Sequence, residues 1–259
     1  MPASELDGFL ALAADLADLA GAAIRPYFRR PLAVEDKPDL TPVTAADRAA
    51  ELAMRRLIES RFSEHGILGE ELGGVREDAE LVWVLDPIDG TKSFISGVPL
   101  FGTLIALTRG GDPILGIIDQ PISGERWVGA AGRPTTLNGA AIHCRECPGL
   151  ASATLFATTP DMFLGPDAAA FARVSAAAKL VRFGADCYAY GLLAAGFVDL
   201  VIEASLKPHD FCAMIPIIEG AGGLATDWRG QKLGLASDGH VLMAGDRRAH
   251  QAARALFAG

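Results

Sequence analysis

The chain predicts an α+β fold that passes into α/β, arranged as two lobes. Three observations carry this. The N-terminal half holds two helix-period stretches followed by apolar runs joined by a turn signal, and the C-terminal half alternates strand-like and helix-like segments. No repeat, low-complexity tract or long linker separates the halves of this 259-residue chain, so the lobes are expected to pack tightly. The boundary is placed where "AAGRPTTLNG" collects turn formers, giving an N-terminal lobe of residues 1–135 and a C-terminal lobe of 136–259.

In the first half, Leu6, Phe9, Leu10, Ala13, Leu16 and Ala20 recur at helical spacing. They predict an amphipathic helix from Ser4, its N-cap, to about Phe28. "RRPLAVEDKPDLTPV" follows, with three prolines and alternating charges, and predicts a mobile loop or weak hairpin. A second helix opens at Thr44 and buries Ala50, Ala53, Met54 and Leu57. A strand at 81–85 comes next, then "FGTLIALT" and "PILGIID" joined by the hairpin signal "RGGD". Helices packed on an antiparallel sheet are the expected result.

In the second half, "TLFAT" predicts a strand, Asp167 to Lys179 an Ala-rich helix, and "LVRF" a strand. "CYAYGLLAAG" then predicts a helix and "VDLVIE" a strand. A helix starts near Asp210, with Pro216 expected to remove one backbone bond and kink it. "VLMAG" is a strand, and a last helix runs to the C-terminus.

Half of the chain is hydrophobic and 21% is charged, which is ample for a soluble core. No apolar run approaches the roughly 20 residues that span a bilayer. "MPASELDGFL" lacks the basic and apolar regions of a signal peptide, so a cytoplasmic location is expected. The net charge of −9 argues against nucleic acid as a partner, because phosphate backbones need basic patches. "HCREC" has a CxxC spacing at Cys144 and Cys147, but Cys187 and Cys212 supply no second pair of the kind structural zinc sites use. Reduced thiols are expected.

The chemistry concentrates at "LVWVLDPIDGTKSF". Pro87 has no N–H to donate, so the strand is expected to stop and project Asp86 and Asp89 beyond its end. Gly90 and Thr91 then offer backbone N–H groups and a hydroxyl at a helix start, a favourable place for an anion. Carboxylates beside an anion are electrostatically consistent only with cations between them. Divalent metal ions bridging protein oxygens to a phosphate meet that condition. Each acid alone has a plainer explanation. Asp86 and Asp89 can cap a turn, Glu70 and Glu71 can open a surface helix, Asp47 can complete a capping box with Thr44, and Asp210 can open a helix after Pro208.

In combination, "PVTAAD", "GEE", "DPIDGT" and "KPHD…EGAGG" resemble, in order and rough spacing, the inositol monophosphatase family of lithium-sensitive, Mg²⁺-dependent phosphomonoesterases. The resemblance covers nearly the whole chain. It implies a layered αβαβα sandwich of the inositol monophosphatase and fructose-bisphosphatase type, a small phosphate ester as substrate, a homodimer, and two or three Mg²⁺ ions. It further implies Glu70, Asp86 and the Ile88 carbonyl as ligands of the activating ion, and Asp86, Asp89 and Asp210 as ligands of the second. Glu70 also matches a ligand of a weaker third ion. Asp89, Gly90 and Thr91 match phosphate-holding positions. Asp47 and Thr91 match the pair that helps deprotonate the attacking water, with Glu70 catalytic beside them. Two ions that acidify water and stabilise the leaving oxygen make a covalent phosphoenzyme unnecessary.

Substrate choice is expected in the second lobe. Glu203 matches the family's acidic contact to the alcohol portion of the substrate, and Asp186 stands where inositol phosphatases usually carry a small residue. A carboxylate added beside the organic group favours a cationic substrate. "DCYAYGLLAAGFVDLVIE", "LKPHDFCAMIPIIEGAGG" and "DQPISGERWVGA" resemble the histidinol-phosphatase branch, whose substrate carries an amine and an imidazole. His209 occupies a position where that branch commonly has Tyr and inositol phosphatases have Trp; it either touches substrate or fills an aromatic slot. The rival readings are an inositol 1-phosphate or broad sugar-phosphate phosphatase, and a regulatory binding protein with incidental activity. "GAGG" at 220–223 falls at a helix end, unlike a dinucleotide fingerprint.

Overall fold

The computed structural model describes residues 2–31, 34–36 and 42–257. Helix α1 (Ala3–Ile24) buries Leu6, Phe9, Leu12, Leu16 and Ile24 along one stripe. It begins ahead of Ser4, with Pro2 at the cap position and no side-chain cap, and gives way to a 3₁₀ turn at Arg25–Tyr27, where Pro26 lies. The breaker-rich segment contains β1 (Val34–Asp36) and β2 (Pro42–Thr44), paired antiparallel. The residues linking them lie outside the described set, and so does the mobility expected of them.

Helix α2 (Ala45–Arg61) opens with the capping box expected at Thr44. The Thr44 hydroxyl accepts the Ala46 N–H at 3.1 Å, and Asp47 Oδ2 accepts the Thr44 N–H at 2.9 Å and its hydroxyl at 2.6 Å. An N-cap of this kind contributes about 1 kcal/mol to helix stability.

The first sheet is built from β3 (Gly66–Gly69), β4 (Gly73–Val75) and β5 (Leu81–Asp89), then, after helix α3 (Thr91–Ile95), from β6 (Gly102–Arg109), β7 (Asp112–Gln120), β8 (Glu125–Ala130), β9 (Thr136–Leu137) and β10 (Ala140–Ala141). Its eight strands run in the order β10-β9-β8-β7-β6-β5-β3-β4, antiparallel except for the β3–β5 pair. Strand β5 does not stop at Leu85 as expected. Pairing reaches Asp86 opposite Leu104 and resumes at Asp89 opposite Gly102, with Pro87 and Ile88 in the irregularity between. A bulge tolerates a residue without an N–H, and the Pro87 carbonyl accepts the Thr103 hydroxyl at 2.8 Å.

The second sheet contains β11 (Thr154–Ala157), then, after α4 (Pro166–Ala177), β12 (Leu180–Phe183). Helix α5 (Tyr188–Ala194) leads to β13 (Leu200–Glu203), and α6 (Pro208–Phe211) and α7 (Met214–Gly220) lead to β14 (Leu224–Thr226) and β15 (Val241–Ala244), with α8 (Arg247–Phe257) last. The order is β12-β11-β13-β15-β14, with β11 parallel to both its neighbours and β15 antiparallel to both of its own. The one helix expected near Asp210 is two short ones. The break falls at Cys212 and Ala213, and Cys212 is the residue whose carbonyl Pro216, lacking an N–H, cannot bond.

Helices α1 and α2 cover one face of the first sheet, α5 and α7 lie between the sheets, and α4 and α8 meet on the far side of the second. This is the layered αβαβα sandwich. The middle layer sits close: a Cβ at Gly116 would stand 1.9 Å from the Ala213 carbonyl, and one at Gly129 2.4 Å from the Ile217 nitrogen. That approach brings α6, and Asp210 with it, onto β5.

Candidate active site

One carboxylate oxygen each from Asp86, Asp89 and Asp210 lies within 4.8 Å of the others. Asp86 and Asp89 bracket the β5 irregularity, so the bulge turns both carboxylates toward the same region as α6. Asp86 is 2% exposed, and its Oδ1 is buried without a hydrogen-bond partner. Burial, then the charges of Glu70, Asp89 and Asp210, hold Asp86 well above the carboxylate range. Asp89 is raised in the same way by burial, Asp186 and Asp210. Burial also raises Asp210, although His209 and the Lys207 N–H, at 2.7 Å from Oδ2, oppose the shift. Buried and half-buried acids that repel one another are costly until a cation joins them. The donor set is all oxygen, with one orphaned oxygen in its middle, and it fits a hard divalent ion.

Glu70 lies in the turn after β3, its N–H bonded to the Leu85 carbonyl at 3.1 Å. Its charge contributes to the raised pKa values of Asp47, Asp86 and Asp210, so these acids face one region. Asp47 is fully buried. Its Oδ2 is taken by the α2 cap, while Oδ1 has no partner. The Thr91 hydroxyl donates to the Ile88 carbonyl at 3.1 Å.

Gly90 has φ of +84°, and a Cβ there would stand 2.7 Å from Asp186 Oδ2, so both conformation and space require glycine. Asp186, on the segment between β12 and α5, therefore lies directly against the start of α3. Its Oδ2 accepts the Ser93 hydroxyl at 2.7 Å. Glu203 is deeper, at 3% exposure. Its Oε1 accepts from the Thr158 N–H at 2.9 Å and from the Thr158 hydroxyl, and its Oε2 accepts from the Tyr190 hydroxyl at 2.9 Å. Burial pushes Glu203 up to about 7. His209 Nε2 stands 3.6 Å from Asp210 Oδ1, and the residue borders a cavity of about 560 Å³ lined also by Leu68, Gly69, Glu77 and Leu235.

Sequence reasoning missed the groups that hold these acids, namely Ser93, the Cys187 N–H, Thr158 and Tyr190, and also Glu51 of α2, which accepts from the N–H groups just after Glu70. Only Glu51 left a readable signal, four residues after Asp47 and therefore on the same helix face. All four cysteines are free thiols. Among the described residues, no helix is long and apolar enough to cross a membrane.

The profile of the inositol monophosphatase family matches residues 5–258. The chain belongs to the inositol monophosphatase family. Relatives agree. An Arabidopsis thaliana protein named Bifunctional phosphatase IMPL2, chloroplastic, is 52% identical over 259 residues, covering 96% of this chain and 75% of that one. A histidinol-phosphatase of Chlorobaculum parvum is 38% identical over 234 residues, covering 90% of each chain. A solved structure of an inositol monophosphatase from Zymomonas mobilis superposes with a TM-score of 0.91 at 47% identity, covering 100% of both chains. This inositol monophosphatase family member is thus a phosphatase, a phosphoric monoester hydrolase. The family is generally metal-dependent, and the acidic cluster is the place that fits an ion.

Proposed function

We propose that this phosphatase hydrolyses L-histidinol phosphate to L-histidinol and phosphate, with two or three Mg²⁺ ions, as a homodimer in the cytoplasm. The observation that carries the substrate is Asp186, whose carboxylate abuts Gly90 at the proposed phosphate loop. In histidinol phosphate the ammonium sits on the carbon next to the phosphate-bearing one, so a carboxylate this close to the loop meets it. Inositol offers no cation there. The name of the Chlorobaculum parvum relative, a histidinol-phosphatase, supports the same branch.

In this reading Glu70, Asp86, Asp89, Asp210 and the Ile88 carbonyl hold the ions. Bound there, Mg²⁺ supplies the charge that acidifies a water and stabilises the phosphoryl oxygens. Asp47 takes the proton of that water at Oδ1, with Thr91 as its relay, while Oδ2 stays locked to Thr44. Burial raises the basicity of Asp47, which suits it to accept a proton. Gly90 and Thr91 orient the phosphate at the start of α3. The water oxygen bonds to phosphorus as the ester P–O bond breaks, and the departing oxygen takes a proton from solvent water to become the alcohol, while Asp47 later gives its own proton back to solvent. Asp186 holds the substrate cation, with Glu203 and His209 completing the wall around the organic group.

The test is phosphate release from histidinol phosphate by purified protein, with Mg²⁺ and after chelation. Turnover that needs Mg²⁺ supports the reading. An ester left untouched while inositol 1-phosphate is cleaved overturns it. Hydrolysis of inositol 1-phosphate or of varied sugar phosphates is the second reading, favoured by the Zymomonas mobilis likeness.

A further inference from the structure

Asp47, Glu51 and Arg55 follow one another at intervals of four on α2 and share one helix face. All three are buried, Glu51 fully and Arg55 to 8% exposure. Glu51 Oε2 accepts the Glu71 N–H at 2.7 Å, and Oε1 accepts the Leu72 N–H at 3.1 Å and the Arg55 Nε–H at 2.7 Å. Arg55 Nη2 in turn donates to the Gly73 carbonyl. The turn from Glu70 to Gly73 is therefore fastened to α2 at three consecutive residues. On its other side the Leu85 carbonyl holds the Glu70 N–H. A Cβ on Gly69 would stand 2.0 Å from Glu51 Oε1, so glycine leaves the space the carboxylate fills.

We propose that Glu51 is a positioning residue for the metal site: with Arg55 it fixes the turn that aims Glu70 at Asp86, and it ties that turn to the helix that carries Asp47. A clasp meant only to stabilise the hairpin could grip it anywhere. This one grips the two N–H groups immediately after Glu70, which set the direction of the Glu70 side chain. The buried ion pair is also costly to build, and its three protein donors repay that cost only at this geometry. The inference rests on reading Glu70 as a metal ligand.

Calorimetric titration of the full chain with Mg²⁺ tests it, using wild type, Glu70→Gln, Glu51→Gln and Gly69→Ala, beside kcat at saturating Mg²⁺. The glutamine amide cannot accept from both N–H groups and leaves Arg55 without a counter-charge. Groups that orient metal ligands typically change metal affinity about 10–100-fold. Glu51→Gln is therefore expected to weaken Mg²⁺ binding by that factor, with a smaller fall in kcat at saturation. Gly69→Ala displaces the same carboxylate without changing its chemistry and is expected to act alike. If Glu51→Gln does not fold, Gly69→Ala carries the test. Weakened binding in Glu70→Gln with wild-type affinity in the folded Glu51 or Gly69 variant overturns the positioning role. Wild-type affinity in Glu70→Gln overturns instead the reading of Glu70 on which it rests.

Discussion

The Cys187 N–H donates to Asp89 Oδ2 at 2.6 Å. A carboxylate at the end of the first sheet is thereby held by a backbone group next to Asp186, 98 residues further along the chain. The proposed metal site and the proposed specificity residue thus share one junction between the end of β5 and the start of α5, and a disturbance at either is expected to reach the other.

Asp86 is the acid with the strongest claim to an ion. Asp86→Asn is expected to lower kcat by more than about a hundredfold, beyond what loss of a group that merely orients a ligand costs. The same change removes a buried charge crowded by three other acids. In chelator the variant is therefore expected to melt above wild type, and it should lose the rise in Tm with Mg²⁺ that is expected of wild type. Thermal melts with and without Mg²⁺ read both effects.

Asp186→Asn tests charge recognition directly. A charge-assisted contact contributes about 1.5–3 kcal/mol, so kcat/KM for histidinol phosphate is expected to fall roughly 10–100-fold. Hydrolysis of an uncharged-alcohol ester such as inositol 1-phosphate should change much less. An equal loss on both esters would assign Asp186 to the phosphate loop rather than to the substrate cation.

Gly90→Ala forces a side chain into a left-handed conformation and into Asp186 Oδ2. Strain of this kind costs of order 1–3 kcal/mol. The expected outcome is lower Tm together with loss of activity, measured on the same preparation.

Stability should depend on pH through the raised acids. Glu203 sits near 7 in the fold against an ordinary value of 4.5, so the folded state keeps its proton longer than the unfolded one. The associated stability is complete below about pH 4.5 and is lost as pH rises through about 7, on the order of 3 kcal/mol in all. Asp86, Asp89 and Asp210 push the same way in metal-free protein. Metal-free Tm is therefore expected to decline from about pH 5 to about pH 8, less steeply in Glu203→Gln, and Mg²⁺ should flatten the decline. A Glu203→Gln slope equal to that of wild type would remove Glu203 from this account.

The layered fold and the joint reading of the acids came through the family resemblance that "PVTAAD", "GEE", "DPIDGT" and "KPHD…EGAGG" carry, while residue types alone spelled out local pieces. Asp86 and Asp89 follow an apolar strand, Thr44 and Asp47 spell a capping box, and Gly90 sits where only glycine fits. Three features were legible only in part or not at all. Pro87 was expected to end β5, yet a bulge absorbs it: the ladder resumes at Asp89 opposite Gly102, and the Pro87 carbonyl accepts the Thr103 hydroxyl. The effect expected of Pro216 is present as a full break: the helix after Asp210 is split at the carbonyl that Pro216 leaves unbonded. The bonds from Cys187 to Asp89, Ser93 to Asp186 and Glu71 to Glu51 join groups 98, 93 and 20 residues apart, and two of the donors are backbone N–H groups that every sequence contains. Which of them meets a carboxylate is decided by packing.

The central claim is the preference for a cationic alcohol beside the phosphate. The most direct measurement is a competition: equal concentrations of histidinol phosphate and inositol 1-phosphate with the Mg²⁺-loaded enzyme, followed by ³¹P NMR, so that the ratio of the two decays gives the ratio of kcat/KM values. The account predicts that histidinol phosphate disappears first, by a margin that collapses in Asp186→Asn. Faster loss of inositol 1-phosphate, or a margin untouched by that substitution, would contradict it.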